Sequence, residues 1–393
     1  MIDLDNNATT RPDDTVVAAV NRALREFWHN PSSVHRAGQA ARQQVELARQ
    51  SVARLVGAQP RDITFTSGAT ESIDLAIRGI LGATRRRTDQ PPRTIITTPI
   101  EHEAVRDLCA SLAADPAANL RVLHLPVRPD GIVDADALPL LIDDTTALVS
   151  VQWANNETGA IQPIEHLGAT CRTRRIPFHC DATQWVGKMP TDLASAPIDL
   201  ASFSAHKFHG PKGIGGLYAR QGVRLRPTLR GTQERERRGG TENVPGILGM
   251  GAAAEVAMIW LADPSHRSAI SALRDRFEHA VIDAVPGAVV NGPTNPALRL
   301  WNTTNIAFPR LEAEALLLLL SEKGVCASAG AACSSGSLDP SPVLLAMGLP
   351  TDLAHGSLRF SLSRETTRQD VDDAATIVAA CVGRLRGSSA SIA

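Results

Sequence analysis

Four short runs carry residue types that could do chemistry together. Lys207 stands in Ser204-Ala205-His206-Lys207-Phe208-His209-Gly210-Pro211-Lys212-Gly213, which leaves an apolar stretch and enters a Gly/Pro-rich turn. A free lysine titrates near about 10.4 and is a poor nucleophile at neutral pH. Burial or a neighbouring cation lowers it enough to form a Schiff base with a carbonyl compound; an exposed loop lysine is the alternative. Asp181, in His179-Cys180-Asp181-Ala182-Thr183-Gln184, follows another apolar stretch. An acid there caps a helix or pairs with the ring nitrogen of a pyridine cofactor and makes that ring an electron sink. Gln184, three residues on, projects to the same side of a helical turn. In Thr66-Ser67-Gly68-Ala69-Thr70-Glu71-Ser72 small residues precede a helix start, the pattern of an anion cup built around Ala69 and Thr70. No Gly-Lys-Ser/Thr follows, so it is not a Walker loop. His102, in Thr97-Thr98-Pro99-Ile100-Glu101-His102-Glu103-Ala104, is a cap, a core histidine, or a ring lying over an aromatic cofactor and moving protons.

Each run falls between a strand pattern and a helix pattern. Strands are expected at 63–66, 94–97, 122–124, 147–151, 178–180, 199–203 and 215–218. Helices are expected at 13–28, 36–56, from 69 onward, 101–113 and 163–173. Such alternation implies a mostly parallel sheet covered on both faces, whose ligand sits beyond the carboxyl ends of the strands. The four runs would converge on that edge. Together they describe a phosphorylated aromatic aldehyde held by a lysine, pyridoxal 5'-phosphate (PLP). Two helices follow, at 244–262 and 265–284. Beyond Pro286 short strands at 305–308 and 358–362 alternate with helices at 311–322 and 367–386, the pattern of a smaller α+β domain. The expected division is 15–260 as the large domain and 1–14 with 261–393 as the small one. The small polar tail from Gly387 to Ser391 is expected to fray.

The six cysteines form no CxxC pair and no Cys/His zinc spacing, and six are too few to staple 393 residues. Most read as small buried hydrophobes, and Cys326, at the strand-like start of its segment, reads as structural. Cys333 differs. It lies in Cys326-Ala327-Ser328-Ala329-Gly330-Ala331-Ala332-Cys333-Ser334-Ser335-Gly336-Ser337, a flexible run with nothing large to bury, which favours a reactive thiol.

Composition excludes other classes. Forty basic against 41 acidic residues give a net charge of -1, and aromatics are 4%. Neither a nucleic-acid surface nor an anionic-membrane surface follows from that balance. Arg85-Arg86-Arg87 reads as a solvated surface loop, and the Arg-rich stretch 224–238, interrupted by Glu234 and Glu236, as a surface or subunit-contact loop. The N-terminus has no secretory pattern. The longest strongly apolar run, 315–320, is too short to span a bilayer, and a cytoplasmic protein is expected.

At this point the chain resembles the PLP-dependent cysteine desulfurases of the NifS/IscS type, in the class V aminotransferase family. The likeness runs nearly end to end. Its motifs are Leu4-Asp5-Asn6-Asn7-Ala8-Thr9-Thr10, Asn30-Pro31-Ser32-Ser33, the 66–71 run, Ala154-Asn155-Asn156-Glu157-Thr158-Gly159, the 181–184 run and Ser204-Ala205-His206-Lys207. They continue with Arg238-Gly239-Gly240-Thr241-Glu242-Asn243, Ala332-Cys333-Ser334-Ser335-Gly336-Ser337-Leu338-Asp339-Pro340-Ser341 and Leu358-Arg359-Phe360-Ser361-Leu362. The resemblance implies an α/β protein of the PLP-dependent transferase fold type I, with a mostly parallel seven-stranded sheet and a smaller α+β domain. It implies that Lys207 carries PLP, that Asp181 pairs with the pyridine nitrogen, that Gln184 bonds the phenolic oxygen and that His102 stacks on the ring. Ala69, Thr70, Ser204 and His206 would hold the phosphate, with Thr241 supplied by the second subunit of a homodimer. Asn156 and Arg359 would orient the substrate, Arg359 clamping its carboxylate with two parallel bonds. Cys333 would take the sulfur as a persulfide, releasing alanine from L-cysteine.

The resemblance also implies a NifU/IscU-type iron–sulfur scaffold as acceptor and no resident metal, with Cys333 as a transient cluster ligand. Asp5-Asn6-Asn7, Trp153-Ala154-Asn155-Asn156-Glu157-Thr158 and Gly240-Thr241-Glu242-Asn243 look most like the nitrogen-fixation branch. The chain departs from the family at the cysteine run, at Gly231-Thr232, where a longer glycine-rich segment is usual, and at Glu236, where a glycine is common. Two relatives on the same fold compete as readings, a selenocysteine lyase independent of Cys333 and another PLP enzyme such as an aminotransferase. A catalytically silent interaction protein is the reading from a different class, and the intact Lys207, Asp181 and His102 set speaks against it.

Overall fold

The computed structural model describes residues 1–83, 91–329 and 339–390. Its strands are β1 (Ile2–Asp3), β2 (Ile63–Thr66), β3 (Arg93–Thr97), β4 (Leu120–His124), β5 (Thr146–Ser150), β6 (Phe178–Asp181), β7 (Leu200–Ser204), β8 (Gly215–Ala219), β9 (Val289–Asn291), β10 (Thr303–Ala307), β11 (Val325–Cys326) and β12 (Ser357–Ser361). Seven form one sheet in the order β2-β8-β7-β6-β5-β3-β4. Its neighbours are parallel except where β8 runs against β2 and β7. The expected mostly parallel, seven-stranded sheet is the one observed. Every residue of β2, β6, β7 and β8 is buried, because helices cover both faces and leave no polar side to the pleat.

The helix Ala69–Ala83 buries Ser72, Ile73, Ala76, Ile77, Ile80 and Leu81, a stripe at helical spacing. The helix Val244–Leu261 is long and apolar enough to cross a membrane by length and composition, as the shorter run 315–320 is not. It packs instead on the helices Asp14–Glu26 and Arg36–Leu55. A Cβ on Gly251 would lie 2.7 Å from the Ala48 Cβ, so that close crossing requires glycine.

A second hydrophobic cluster gathers the antiparallel sheet β12-β10-β9 with the helices Pro264–Ala284, Ala313–Glu322 and Arg368–Ala390, around Phe277, Phe308, Leu316 and Phe360. Leu4 belongs to it as well. β1 pairs in parallel with β11, and Asp5 bridges to Ser361. The first residues of the chain are thereby laid along the C-terminal elements and delivered to the edge of the large sheet. The sequence pattern shows neither β1 nor β9, which are two and three residues long, while β11 falls at the strand-like start of the Cys326 segment. Conversely, the helix Arg368–Ala390 runs through Gly387, where composition predicts a frayed tail. Val343, Leu344, Met347 and Ala354 pack with the large-sheet cluster although they come from the last third of the chain. The expected Arg85-Arg86-Arg87 loop lies outside the described residues, as do residues 330–337 of the run that holds Cys333.

Candidate active site

A cavity of about 730 Å³ opens at the carboxyl edge of the large sheet. Residues following β2, β3, β5, β6 and β7 line it, as the alternation of strands and helices predicts. Ala69, Thr70, His102, Asn156, Asp181, Gln184, Ser204, His206, Lys207 and Arg359 all line this one cavity. Thr241 does not. It is exposed and outside the lining. Cys333 lies outside the described residues, but both ends of its segment are placed. Ser328 pairs with Arg359, its N–H 3.2 Å from the Arg359 carbonyl and its carbonyl 2.7 Å from the Arg359 N–H. Asp339 and Pro340 line the cavity.

The anion cup forms where β2 gives way to the helix Ala69–Ala83. The first N–H groups of any helix have no carbonyl one turn back and point at whatever lies before them. Gly215 closes the cup from behind: a Cβ there would lie 2.6 Å from the Gly68 carbonyl carbon. Glu71, in the first helical turn, is turned aside, accepting from the Ser67 N–H at 2.7 Å and from Arg238 Nε at 2.8 Å. Burial would raise its carboxyl, but the bonds from Arg238 and Ser67 prevail and hold it below the usual range. Its charge is thus spent away from an incoming anion. Burial, then the charges of Lys207, Lys212 and Lys188, push His206 down to about 4, so its ring is neutral and able to donate. Lys212 also lines the cavity.

Lys207 leaves β7 on a 3₁₀ turn and donates to the carbonyls of Asn7 at 2.7 Å and Ala8 at 2.8 Å. Asp181 ends β6, 6% exposed. One of its oxygens accepts from the Thr183 N–H and hydroxyl; the other makes no hydrogen bond among the described residues. A nearly buried carboxylate with an unused oxygen on a cavity wall suits a protonated ring nitrogen. This observation, with the cup and Lys207 lining the same cavity, fits PLP to the residues present.

His102 caps a helix and also faces the cavity. Its Nδ1 accepts from the Ala104 N–H at 3.1 Å and caps the helix Glu103–Ala114, and its ring lines the cavity. Because Nδ1 accepts, the neutral ring carries its proton on Nε2. Burial lowers its basicity, opposed by Asp181 and reinforced by Lys207.

Arg359 is 2% exposed, donates from Nη2 to Asp5 at 2.7 Å and from Nη1 to the Asn156 carbonyl at 3.2 Å, and its Nε has no partner among the described residues. Sequence reasoning missed Asn7, Glu101 and Lys188. Glu101 is fully buried on the cavity wall, one oxygen taking bonds from the Thr98 hydroxyl and the Gln152 N–H, the other unpartnered. Burial pushes it up to about 8. The neighbouring His102 draws attention from the sequence; the glutamate beside it looks like an ordinary first-turn acid. Burial raises the Cys109 and Cys171 thiols to about 12 and Cys180 well above its usual value, so these three are inert, as their apolar contexts predict.

In the Arg-rich stretch, Glu234 is buried and holds Arg49 with two 2.7 Å bonds, while also accepting from the Phe65 N–H of β2. Glu234, Arg235 and Glu236 all have φ between 46° and 63°, which accounts for glycine being common at the last of them.

The model for the family Aminotransferase class-V matches residues 2–373. Cysteine desulfurase 2 of Trichormus variabilis is 47% identical over 390 residues, 99% of this chain and 95% of that one. Cysteine desulfurase NifS of Azotobacter vinelandii is 46% identical over 389 residues, 98% of this chain and 94% of that one. A solved NifS-like protein superposes with a TM-score of 0.88 at 37% identity, covering 97% of this chain and 99% of its own. With a family match over nearly the whole chain, and the expected large sheet bearing the expected lysine, aspartate and histidine on one cavity, this chain belongs to the class-V aminotransferase family.

Proposed function

We propose that this protein is a PLP-dependent cysteine desulfurase. It converts L-cysteine to L-alanine and leaves the sulfur on Cys333 as a persulfide, from which an acceptor draws it for iron–sulfur cluster assembly. The observation that carries the reading is the anchoring of the Cys333 segment to the cavity that holds Lys207 and Asp181. Cys333 is four residues from Ala329, a reach of at most about 14 Å for extended chain, and Asp339 on the far side lines the same cavity. The cysteine desulfurases among the relatives support the same conclusion.

Bound PLP supplies an electron sink for the substrate's α-carbon. The chain's own residues do the rest. Ala69, Thr70, Ser204 and His206 take the phosphate in the cup, and Asp181 holds the proton on the ring nitrogen. Arg359 and Asn156 orient the substrate by its carboxylate. Lys207 Nζ accepts the α-proton and returns it. His102, with its proton on Nε2, is placed to protonate a leaving atom. The Cys333 thiolate forms the new S–S bond as the substrate's Cβ–S bond breaks, and Cβ gains a proton. Cysteine and the enzyme thiol thus become alanine and the enzyme persulfide, with no outside oxidant.

A homodimer belongs to the same proposal, since Thr241 is exposed and outside its own chain's cavity, as a residue donated to a partner's phosphate site must be. So do a NifU/IscU-type scaffold as acceptor, service to nitrogenase clusters, a cytoplasmic setting and the division into 15–260 and 1–14 with 261–393. The hydrophobic cluster gathered on β9, β10 and β12 supports that division, although Val343, Leu344, Met347 and Ala354 pack with the large sheet.

The test is a single turnover with L-cysteine followed by alkylation and peptide mass mapping. A persulfide on Cys333 is expected. Alanine formed with Cys333 never carrying the added sulfur would refute the proposal and favour a lyase.

A further inference from the structure

Lys188 is 4% exposed, yet among the described residues no carboxylate faces it. Its electrostatic neighbours are Lys207 and Arg359, both cationic. His206 and His209 in turn feel its charge. Burial and those two cations depress its basicity well below that of an ordinary lysine. A buried amine without an acid must be held by neutral acceptors. Here these are two side-chain amides: Nζ lies 2.7 Å from Asn7 Oδ1 and 2.5 Å from Gln184 Oε1.

The bonding pattern leaves each amide a single orientation. Asn7 Nδ2 and Gln184 Nε2 each donate to a backbone carbonyl, which accepts only, so both amides turn their oxygens to Nζ, which donates to both. Asn7 Oδ1 also accepts from Asn302 Nδ2 at 3.0 Å, and its Nδ2 donates to Thr303 Oγ1 at 2.9 Å and to the Asn156 carbonyl at 3.1 Å. Gln184 Nε2 donates to the Asn7 carbonyl at 3.0 Å, the carbonyl that also accepts from Lys207 Nζ at 2.7 Å. Gln184 has two N–H groups and this bond uses one, leaving the other as a donor at the cavity wall. Turned over, the amide would present an oxygen to the cavity and set an acceptor against any anionic oxygen bound there.

We propose that Lys188 is a positioning residue: by donating to Gln184 Oε1 and Asn7 Oδ1 it locks both amides, so that Gln184 presents N–H to the cofactor's ring oxygen and the Asn7 carbonyl stays aimed at Lys207. This rests on the reading of the cavity as a PLP site.

The test uses full-length protein loaded with PLP and follows the pH midpoint of the cofactor's visible band. A donor to the ring oxygen favours the deprotonated chromophore, as does a nearby cation, so losing either raises the midpoint. Lys188→Met is expected to raise it by about one pH unit or more. Lys188→Gln, which keeps a donor for Gln184, is expected to restore part of the shift, and it serves if the methionine variant does not fold by circular dichroism. Gln184→Leu is expected to raise the midpoint on its own, and adding Lys188→Met to it to shift it by less than Lys188→Met does alone, because the two act through one bond. Fully additive shifts would overturn the proposal in favour of a bare charge effect. An unmoved midpoint in folded, loaded Lys188→Met would overturn it in favour of a packing role. Wild type that takes up no PLP and shows no band would overturn the cavity reading, and this inference with it.

Discussion

Arg359 reaches 2.7 Å from Asp5, a residue 354 positions away in the sequence, and it does so from a buried position beside the cavity. The pairing orients the guanidinium and leaves Nε without a partner among the described residues. It also places a negative charge beside the arginine proposed to take the substrate carboxylate. Asp5→Asn should keep the hydrogen bond, remove the repulsion, and lower KM for L-cysteine several-fold with little change in kcat. Arg359→Ala should raise KM by about two orders of magnitude, since a charge-assisted pair is lost from a buried site. Steady-state kinetics on both variants checks the pair, and a rise in KM for Asp5→Asn would show that the aspartate is needed to aim the arginine.

Glu101 makes the protein's stability depend on pH in a predictable direction. Its folded pKa, pushed up to about 8 by burial, exceeds the value near about 4.3 of the unfolded chain. Between these values the folded state binds the extra proton, so stability falls as pH rises and the full cost stands above about 8. Glu101→Gln should remove on the order of 5 kcal/mol of that cost at pH 9 and little at pH 4. Thermal melting at both pH values measures it. An equal effect at the two would show that Glu101 does not titrate in this window.

His179 works in the opposite sense at acid pH. It is fully buried on β6 between the hydroxyls of Ser150 at 2.8 Å and Ser202 at 2.9 Å, and burial pushes it down to about 4. Below about 6.5 the unfolded chain takes up a proton that the folded state refuses. Stability should therefore drop as pH falls from about 6.5 to about 4. His179→Gln should flatten that part of the melting profile even if it lowers the maximum.

The bidentate pair between Arg49 and Glu234 pins the 233–238 turn to the edge strand β2. Glu234→Ala leaves Arg49 buried with its main partner gone and should cost about 3–5 kcal/mol. Glu236→Gly should instead stabilise by about 1 kcal/mol, because Glu236 occupies a left-handed conformation with φ 63°. Urea denaturation of both variants gives the comparison.

The parts of this molecule legible from sequence are those fixed locally. β2 is observed at Ile63–Thr66 and its following helix from Ala69, as the pattern predicts, because the strand-to-helix punctuation lies within ten residues. Asp181, Lys207 and His102 are legible as site candidates for the same reason: each directly follows a strand or opens a helix. What the sequence hides is nonlocal. Lys188 looks like any lysine after a glycine until Asn7 and Gln184 are found around it. Glu234 looks like a surface acid in an Arg-rich run until Arg49, 185 positions away, closes on it. β1 is two residues long and exists only because β11 and β12 receive the N-terminus. The family resemblance supplied the role of Arg359, but not its contact with Asp5.

The measurement that tests the central claim most directly is product stoichiometry from L-cysteine under reducing conditions, with wild type, Lys207→Ala and Cys333→Ala side by side. Equal amounts of alanine and sulfide from wild type, and neither from the two variants, is the predicted result. Undiminished alanine from Cys333→Ala, or faster turnover of L-selenocysteine than of L-cysteine by that variant, would contradict a persulfide-forming desulfurase.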